Sequence, residues 1–297
     1  MMYHRALLVY NRSAGQQETL QQLAAVIPIL ADGIKELVLF QTSAPGEGEA
    51  VCREQGEAYE LILVMGGDGS VHECVNGIAA LEQPPLIGIL PVGTCNDFAR
   101  SMNLPVELTL AARALMKGQV RALDIGMAHD RVFTNFFGVG LITATSENIN
   151  PDLKGALGRL SYFISMLQTV RSAEPFSYRM EYDGHFSEGE AIMIYISNGR
   201  YLGTRPLPFT FDSLTDGLLD VLIIREAGLP LLKELLSRRV EGEWKPANES
   251  ISYVRVASIN LITDEPMKAD TDGEIYMETP AAVSVKPRRL RFLTGSE

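Results

Sequence analysis

The feature that most limits the fold is a regular alternation of short apolar runs and helix-like segments over the first 120 residues. The apolar runs lie at residues 6–10, 37–40, 61–65 and 86–90. Apolar residues recur at helical spacing between and after them, at residues 17–31, 47–59, 71–79 and 98–102. Strands that are apolar on both faces and alternate with helices predict a mainly parallel sheet covered by helices. We therefore expect residues 1–120 to form an α/β domain.

The pattern changes after about residue 120, where helical periodicity gives way to short strand candidates. These lie at residues 121–127, 132–138, 178–183, 190–197, 218–225, 253–262 and 282–286. Asp-Gly pairs, which favour tight turns, separate several of them, at 183–184, 216–217 and 272–273. Residues 121–287 are therefore predicted to form an antiparallel β-rich domain, with helical stretches at about 155–172 and 229–240. The tail, residues 288–297, carries one more strand and is a candidate to complete the first domain.

Composition and charge restrict the class of protein. Hydrophobic residues make up 46% of the 297 residues, which is ample for a buried core. The net charge of −11 gives no general attraction to nucleic acid, so no nucleic-acid partner is expected. Three cysteines without a C-x-x-C pair suit a reducing cytosol and favour neither a disulfide framework nor a zinc site. No apolar stretch of about 18 residues occurs, so no transmembrane segment is expected.

A glycine-rich loop follows the third predicted strand and precedes a helix: Gly66-Gly67-Asp68-Gly69-Ser70. Ser70 and Glu73 have the spacing of a capping box. Glycines at a helix N-terminus let backbone N–H groups approach a phosphate closely. Asp68 would repel a phosphate unless a cation lay between them, which points to Mg²⁺. The loop matches neither the Walker A nor the G-x-G-x-x-G pattern, and alone it is also compatible with a βα turn that binds nothing.

A second polar loop, residues 91–100, follows the fourth strand and also enters a helix. Thr94 can cap that helix and offer its hydroxyl to a phosphate. Asn96 and Asp97 add an amide and a second carboxylate. Because open α/β sheets bind ligands at the carboxyl ends of their strands, the two loops together predict a nucleotide phosphate site at this edge.

The order and spacing of these motifs resemble the bacterial diacylglycerol kinase and lipid kinase family. Five segments carry the resemblance along the whole chain: residues 11–15 (N-R-S-A-G), 66–77 (G-G-D-G-S-x-H-E-x-x-N-G), 91–100 (P-V-G-T-C-N-D-F-A-R), 216–220 (D-G-L-L-D) and 272–274 (D-G-E). Sphingosine and ceramide kinases are similar, as are NAD kinases and 6-phosphofructokinases more distantly. The resemblance implies an NAD-kinase-like or phosphofructokinase-like catalytic domain, a β-rich lipid-substrate domain, and ATP in the cleft.

The resemblance also implies roles for individual residues. The nucleotide contacts would fall on Asn11, Thr42, Gly66, Gly67, Asp68, Gly69, Ser70, Glu73, Thr94 and Asn96. Asp68 and Asp97 would organise the catalytic Mg²⁺, and Glu274 would be the general base on the lipid hydroxyl. A separate structural Mg²⁺ would bind Ser213, Asp216 and Leu218. The expected reaction is ATP-dependent phosphorylation of a lipid alcohol, first of all diacylglycerol, in phospholipid synthesis.

One departure from the family pattern concerns the phosphate site. Many relatives carry a lysine just after the N-terminal glycine turn, where this chain has Gln16 and Gln17 after Gly15. A cation that would help to neutralise the γ-phosphate is therefore absent from that position. Three alternative functions stay open: a kinase for another lipid alcohol, a kinase for a soluble substrate such as NAD or a sugar phosphate, and a non-catalytic protein that binds lipid or nucleotide.

The contact with lipid is less specified than the nucleotide site. Residues 151–175 carry a broad apolar stripe that lines an acyl-chain pocket, touches a bilayer, or packs internally. The net charge of −11 gives no attraction to anionic lipid, so we expect a cytoplasmic protein that meets the inner membrane face peripherally and transiently. No short motif encodes the acceptor, and a homodimer is compatible with the sequence.

Overall fold

The computed structural model describes residues 3–11, 16–143, 173–208, 214–226 and 244–295. The chain divides into two units. Unit 1 comprises Met1–Leu123 and Arg288–Glu297, and unit 2 comprises Asp124–Pro287. The predicted helices at 155–172 and 229–240 lie outside the described residues.

The elements of unit 1 alternate between strand and helix. They are β1 (Tyr3–Asn11), α1 (Gln16–Ala31), β2 (Ile34–Thr42), α2 (Glu47–Gln55), a 3-10 turn (Gly56–Ala58), β3 (Leu61–Gly66), α3 (Asp68–Ala79), β4 (Leu86–Pro91), α4 (Asp97–Ser101), α5 (Leu108–Lys117) and the first part of β5 (Gln119–Ala128). Unit 2 continues with β6 (Arg131–Phe133), β7 (Phe136–Gly140), β8 (Phe176–Tyr182), β9 (His185–Ala191), β10 (Met193–Ser197), β11 (Tyr201–Leu202), β12 (Arg205–Pro206), β13 (Leu219–Ile224), β14 (Ile251–Val256), β15 (Ser258–Thr263), β16 (Lys268–Thr271), β17 (Glu274–Glu278) and β18 (Ala281–Thr294). The last residues of β18 belong to unit 1.

The sheet of unit 1 is parallel, as the sequence predicts. Its strand order is β2-β1-β3-β4-β18, and each neighbouring pair runs in the same direction. Strands β3 and β4 are buried along their whole length, which explains their uninterrupted apolar sequences. Arg289 fastens β18 to the end of α3, because its Nη2 donates to the carbonyl oxygens of Ala79 (3.0 Å) and Leu81 (3.2 Å).

Unit 2 is an antiparallel β structure. One sheet has the order β14-β13-β10-β7-β16-β17, and the other contains β18-β15-β8-β9 together with β5 and β6. Both sheets contribute side chains to one apolar core, whose members include Phe137, Val139, Met180, Ile194, Ile196, Val221, Leu261 and Val283. An α/β unit followed by an antiparallel β unit confirms the predicted fold class.

The structure differs from the sequence prediction in the division of several strands and in one additional helix. Three predicted strands are each two: 132–138 is β6 and β7, 190–197 is β9 and β10, and 253–262 is β14 and β15. Helix α5 was not predicted, and its N-cap is Glu107, a residue outside the usual cap set, whose carboxylate accepts the N–H groups of Thr109 and Leu110. Within the described residues no helix is long and apolar enough to cross a membrane.

Candidate active site

The carboxyl ends of four parallel strands bring the predicted nucleotide residues of unit 1 to one edge. Asn11 at the end of β1 pairs in register with Thr42 at the end of β2. Gly66 at the end of β3 pairs in the same way with Pro91 at the end of β4. Asn11 is exposed, whereas Thr42 is buried and its hydroxyl donates to the carbonyl oxygen of Tyr10 (3.3 Å). The remaining residues of the first segment, 12–15, lie outside the described chain.

The two glycine-containing loops touch each other. A Cβ atom on Gly93 would lie 2.4 Å from the Cα of Gly67, and one on Gly67 would lie 3.1 Å from the Cα of Gly93. The Val92 N–H also donates to the carbonyl oxygen of Gly66 (3.2 Å). Two backbones without side chains therefore lie together where β3 and β4 end. Glycine at such a position would let a phosphate approach the backbone N–H groups closely.

The first loop places Asp68 against the second. Helix α3 begins at Asp68, and the Asp68 Oδ1 accepts the N–H of Phe98 in the first turn of α4 at 3.3 Å. Asp97, the residue before Phe98, is fully buried. The Asp68 side chain thus contacts the backbone next to Asp97, the second carboxylate to which the resemblance gives the catalytic Mg²⁺. Carboxylate oxygens are ligands that Mg²⁺ prefers in proteins.

Asn96 and Thr94 have different tasks in the second loop. The Asn96 Oδ1 accepts the Gly93 N–H (2.9 Å), and its Nδ2 donates to the Gly93 carbonyl oxygen (2.7 Å). Asn96 adopts φ 53° and is itself the N-cap position of α4, without a side-chain cap. The prediction that Thr94 caps this helix is therefore wrong. Thr94 is exposed, and Asn96 fixes the shape of the glycine turn.

Glu73 does not form the predicted capping box. The N-cap of α3 is Gly67, so Ser70 lies inside the first turn, where it packs on Gly66. Glu73 instead reaches the start of α2: its Oε1 accepts the Gly46 N–H (3.0 Å) and its Oε2 accepts the Gly48 N–H (3.2 Å). The sequence spacing was that of a capping box, but the side chain stabilises a neighbouring helix.

Glu274 lies in unit 2, at the start of β17, and is partly exposed. The preceding turn is tightly held, because the buried Asp270 accepts the Gly273 N–H at 2.6 Å. The carboxylate of Asp272 accepts four hydrogen bonds from the 134–136 loop: from the N–H and hydroxyl of Thr134 and from the N–H groups of Asn135 and Phe136, at 2.7–3.0 Å. Sequence analysis missed this role of Asp272, and only the D-G-E motif marked its position.

The predicted structural Mg²⁺ site is only partly described, because Ser213 lies outside the described residues. The Asp216 Oδ1 accepts the Leu218 N–H (3.0 Å), and its other oxygen pairs with the guanidinium of Arg255. Burial raises the pKa of Asp216, and the Arg255 charge opposes that shift. Asp124, which sequence analysis missed, accepts the Gly217 N–H at 2.7 Å.

The described contacts of Asp216 are all with groups of the protein itself. Both oxygens of Asp216 are engaged, one of them by a cation of the protein itself. In the part of the chain that the structure describes, no group of three or more His, Cys, Asp or Glu side chains is placed to hold a metal ion.

The chain is similar to two domain families in order. Residues 5–128 match the diacylglycerol kinase catalytic domain, and residues 138–294 match the YegS C-terminal NAD kinase beta sandwich-like domain. A candidate lipid kinase of Staphylococcus aureus (strain JH9) is 30% identical over 99% of this chain and 98% of its own. One from Staphylococcus carnosus is 29% identical over 98% of this chain and 97% of its own.

The chain is also similar to solved structures of kinases. The crystal structure of a candidate diacylglycerol kinase from Bacillus anthracis has a TM-score of 0.90 and 33% identity, covering 99% of this chain and 96% of that one. An NAD kinase from Archaeoglobus fulgidus in complex with ATP shares the fold alone, with a TM-score of 0.52 and 12% identity over 98% of this chain and 94% of that one. With both domains matched in order and relatives aligned over nearly its full length, this chain belongs to the diacylglycerol-kinase-like family of lipid kinases.

Proposed function

We propose that the protein transfers the γ-phosphate of ATP to a lipid hydroxyl, with diacylglycerol as the acceptor and phosphatidic acid as the product. The observation that carries this proposal is the contact between the Gly67 and Gly93 loops, with Asp68 bonded across it. Two side-chain-free backbones at the carboxyl ends of neighbouring strands would let backbone N–H groups approach a polyphosphate closely.

The carboxylates Asp68 and Asp97 would hold a magnesium ion beside this cradle. When bound, Mg²⁺ neutralises charge on the phosphate oxygens during transfer. Asn96 keeps Gly93 in place through two hydrogen bonds, so the backbone that faces the phosphates is fixed before ATP arrives. Thr94 is exposed and offers a hydroxyl on the same loop. Phosphoryl transfer depends on such positioning more than on covalent chemistry by the protein.

Glu274 would act as the general base. Its carboxylate takes the proton of the lipid hydroxyl as the oxygen forms a bond to the γ-phosphorus, and the bond from that phosphorus to the β–γ bridging oxygen breaks to release ADP. The hydrogen bonds that Asp270 and Asp272 accept fix the turn before Glu274. The backbone of Glu274 is therefore already ordered before the reaction. A partly exposed carboxylate can contact the lipid hydroxyl and can afterwards release the proton to water.

The lipid nature of the acceptor rests on the family, since the relatives and the Bacillus anthracis structures carry lipid kinase and diacylglycerol kinase names. We place the reaction at the cytoplasmic face of the membrane, where the protein would bind peripherally and transiently while diacylglycerol stays in the bilayer.

The test is an assay with radiolabelled ATP, Mg²⁺ and a panel of lipid alcohols in mixed micelles, with diacylglycerol, phosphatidylglycerol, a sphingoid base and undecaprenol as acceptors. ATP binding is measured separately by calorimetry. We expect labelled phosphatidic acid as the main product. Intact ATP binding without any labelled lipid would refute the proposal, and ADP release with NAD or fructose 6-phosphate in a coupled assay would replace it with a kinase for a soluble substrate.

A further inference from the structure

Arg255 lies in a fixed position beside a buried carboxylate of unit 2. Asp220 in β13 and Arg255 in β14 are direct register partners in the antiparallel sheet. The Arg255 Nε lies 3.4 Å from the Asp220 Oδ1, and the Asp220 side chain is only 1% exposed. Directly opposed residues on one sheet face interact closely, so the backbone itself brings the guanidinium to this site.

The same guanidinium reaches a second carboxylate. Gly217, with φ +73°, turns the chain before β13 and leaves Asp216 close to the Arg255 Nη2, with which it forms an ion pair. Both side chains are largely shielded from solvent: that of Arg255 is 25% exposed and that of Asp216 is 20% exposed. One guanidinium thus bridges two carboxylates, and arginine suits this role because its donors form a planar fork.

Aromatic side chains hold the bridge in place. The Tyr253 hydroxyl donates to the Asp220 Oδ1, and the Trp244 ring packs edge-on against Tyr253 with ring centroids 5.1 Å apart. Trp244 is buried. A carboxylate as buried as Asp220 is costly without a compensating positive charge, and removing its partner leaves an uncompensated ion. Among the described residues that lie next to Asp220, Arg255 supplies that charge.

We infer that Arg255 is the resident cation of the 216–220 turn and occupies the place at Asp216 that the family resemblance gives to a structural Mg²⁺. Mg²⁺ demands an octahedron of oxygen ligands and gives up its water reluctantly, whereas both oxygens of Asp216 already have protein donors. Unit 2 of this chain therefore folds without a divalent ion, and an ion gains access to Asp216 only when the guanidinium is removed. The inference goes beyond the proposed kinase activity and does not depend on it.

The experiment measures thermal unfolding of the nucleotide-free protein in excess Mg²⁺ and in EDTA. The chain has one tryptophan, Trp244, so its fluorescence reports directly on this cluster. We expect the melting temperature of the wild type to be the same in both conditions. In the Arg255→Met variant, which keeps the apolar stem and removes the charge, Mg²⁺ should raise the melting temperature by roughly 5 °C relative to EDTA.

Arg179→Met is the matched control. Arg179 lies on β8 of the same unit and pairs with Glu188 at 3.8 Å, but both side chains are more than 60% exposed, at 66% and 63%. Its melting temperature should not respond to Mg²⁺. A wild type that loses several degrees in EDTA would overturn the inference, as would an Arg255→Met protein that responds to Mg²⁺ no more than the wild type does. An Arg255→Met protein that folds only in Mg²⁺ supports it. If that variant folds in neither condition, the wild-type comparison alone decides.

Discussion

A methyl group on Gly93 would lie 2.4 Å from the Cα of Gly67, which is closer than two non-bonded carbon atoms can approach. We therefore expect Gly93→Ala to push the two phosphate loops apart. The obstacle is backbone, so it cannot move aside as the end of a flexible side chain would. A displacement of about 1 Å in a catalytic arrangement can cost about 100-fold in rate, and we expect a loss of that order together with weaker ATP binding. Initial rates and calorimetric titration of ATP measure the two effects.

The matched control for this substitution is Gly189→Ala in β9. A Cβ atom on Gly189 would meet its nearest neighbour, the Tyr178 hydroxyl, at 3.4 Å, which is ordinary contact. Activity and ATP affinity should then stay at the wild-type level. If Gly93→Ala bound ATP as tightly as Gly189→Ala, the glycine contact would not be a phosphate site.

The nucleotide edge of unit 1 was largely predictable from sequence. Buried apolar strands followed by polar turns specify a parallel sheet whose carboxyl ends share one edge, and the register of Asn11 with Thr42 follows from that topology. The contact of Gly67 with Gly93 was not predictable, because it depends on how far each loop extends beyond its strand. The partners of Glu73 were not predictable either, since the N–H donors that its carboxylate accepts lie at the start of another helix, 25–27 residues earlier in the chain.

Asp68→Asn separates charge from hydrogen bonding in the first loop. The amide oxygen can still accept the Phe98 N–H, so the contact between the loops should persist. The negative charge that would hold Mg²⁺ is lost, and we expect transfer to fall by about 10²- to 10³-fold with little change in melting temperature. Asp32→Asn, an exposed aspartate in the turn before β2, is the control and should keep full activity. An Asp68→Asn protein with normal turnover at saturating Mg²⁺ would remove Asp68 from the metal site.

Glu73→Gln tests whether this residue acts on the nucleotide or on helix α2. Its two oxygens accept the N–H groups of Gly46 and Gly48, and an amide can replace only one of them as an acceptor. We expect the free energy of unfolding to fall by about 1 kcal/mol, as for loss of a helix cap. Urea denaturation measures this change, with Glu54→Gln on the exposed side of α2 as the control. ATP affinity that fell more than tenfold while stability stayed the same would instead assign Glu73 to the nucleotide.

The site in unit 2 was less predictable than the nucleotide edge. The D-G-E motif marks Glu274, but the acceptor of four loop donors is Asp272, whose partners Thr134 and Asn135 lie 138 and 137 residues away in the chain. Sequence analysis placed those partners inside one strand, 132–138, because the flanking residues are apolar. In the structure the strand is broken there, since the backbone N–H groups turn toward the Asp272 carboxylate and away from a neighbouring strand.

Asp272→Asn should destabilise unit 2 more than a typical polar substitution. Each carboxylate oxygen accepts two donors, and an amide nitrogen in place of either oxygen would face N–H groups. Hydrogen bonds to charged groups contribute about 1.5–3 kcal/mol each, and we expect a net loss of about 2–3 kcal/mol in the free energy of unfolding. Asp264→Asn, at an exposed position after β15, is the control for urea denaturation. Equal unfolding midpoints for the two variants would contradict the structural role of Asp272.

Glu274→Gln should stop proton removal while leaving the turn intact, since the hydrogen bonds of that turn are made by Asp270 and Asp272. Loss of a general base costs about 10²- to 10⁴-fold in rate, and we expect the drop to fall on kcat with the KM for ATP unchanged. Glu278→Gln, the exposed glutamate at the other end of β17, is the matched control. The lipid kinase assay, run at saturating and at limiting ATP, measures both constants for the two variants. A Glu274→Gln enzyme with the wild-type kcat would mean that another residue, or a water molecule, accepts the proton.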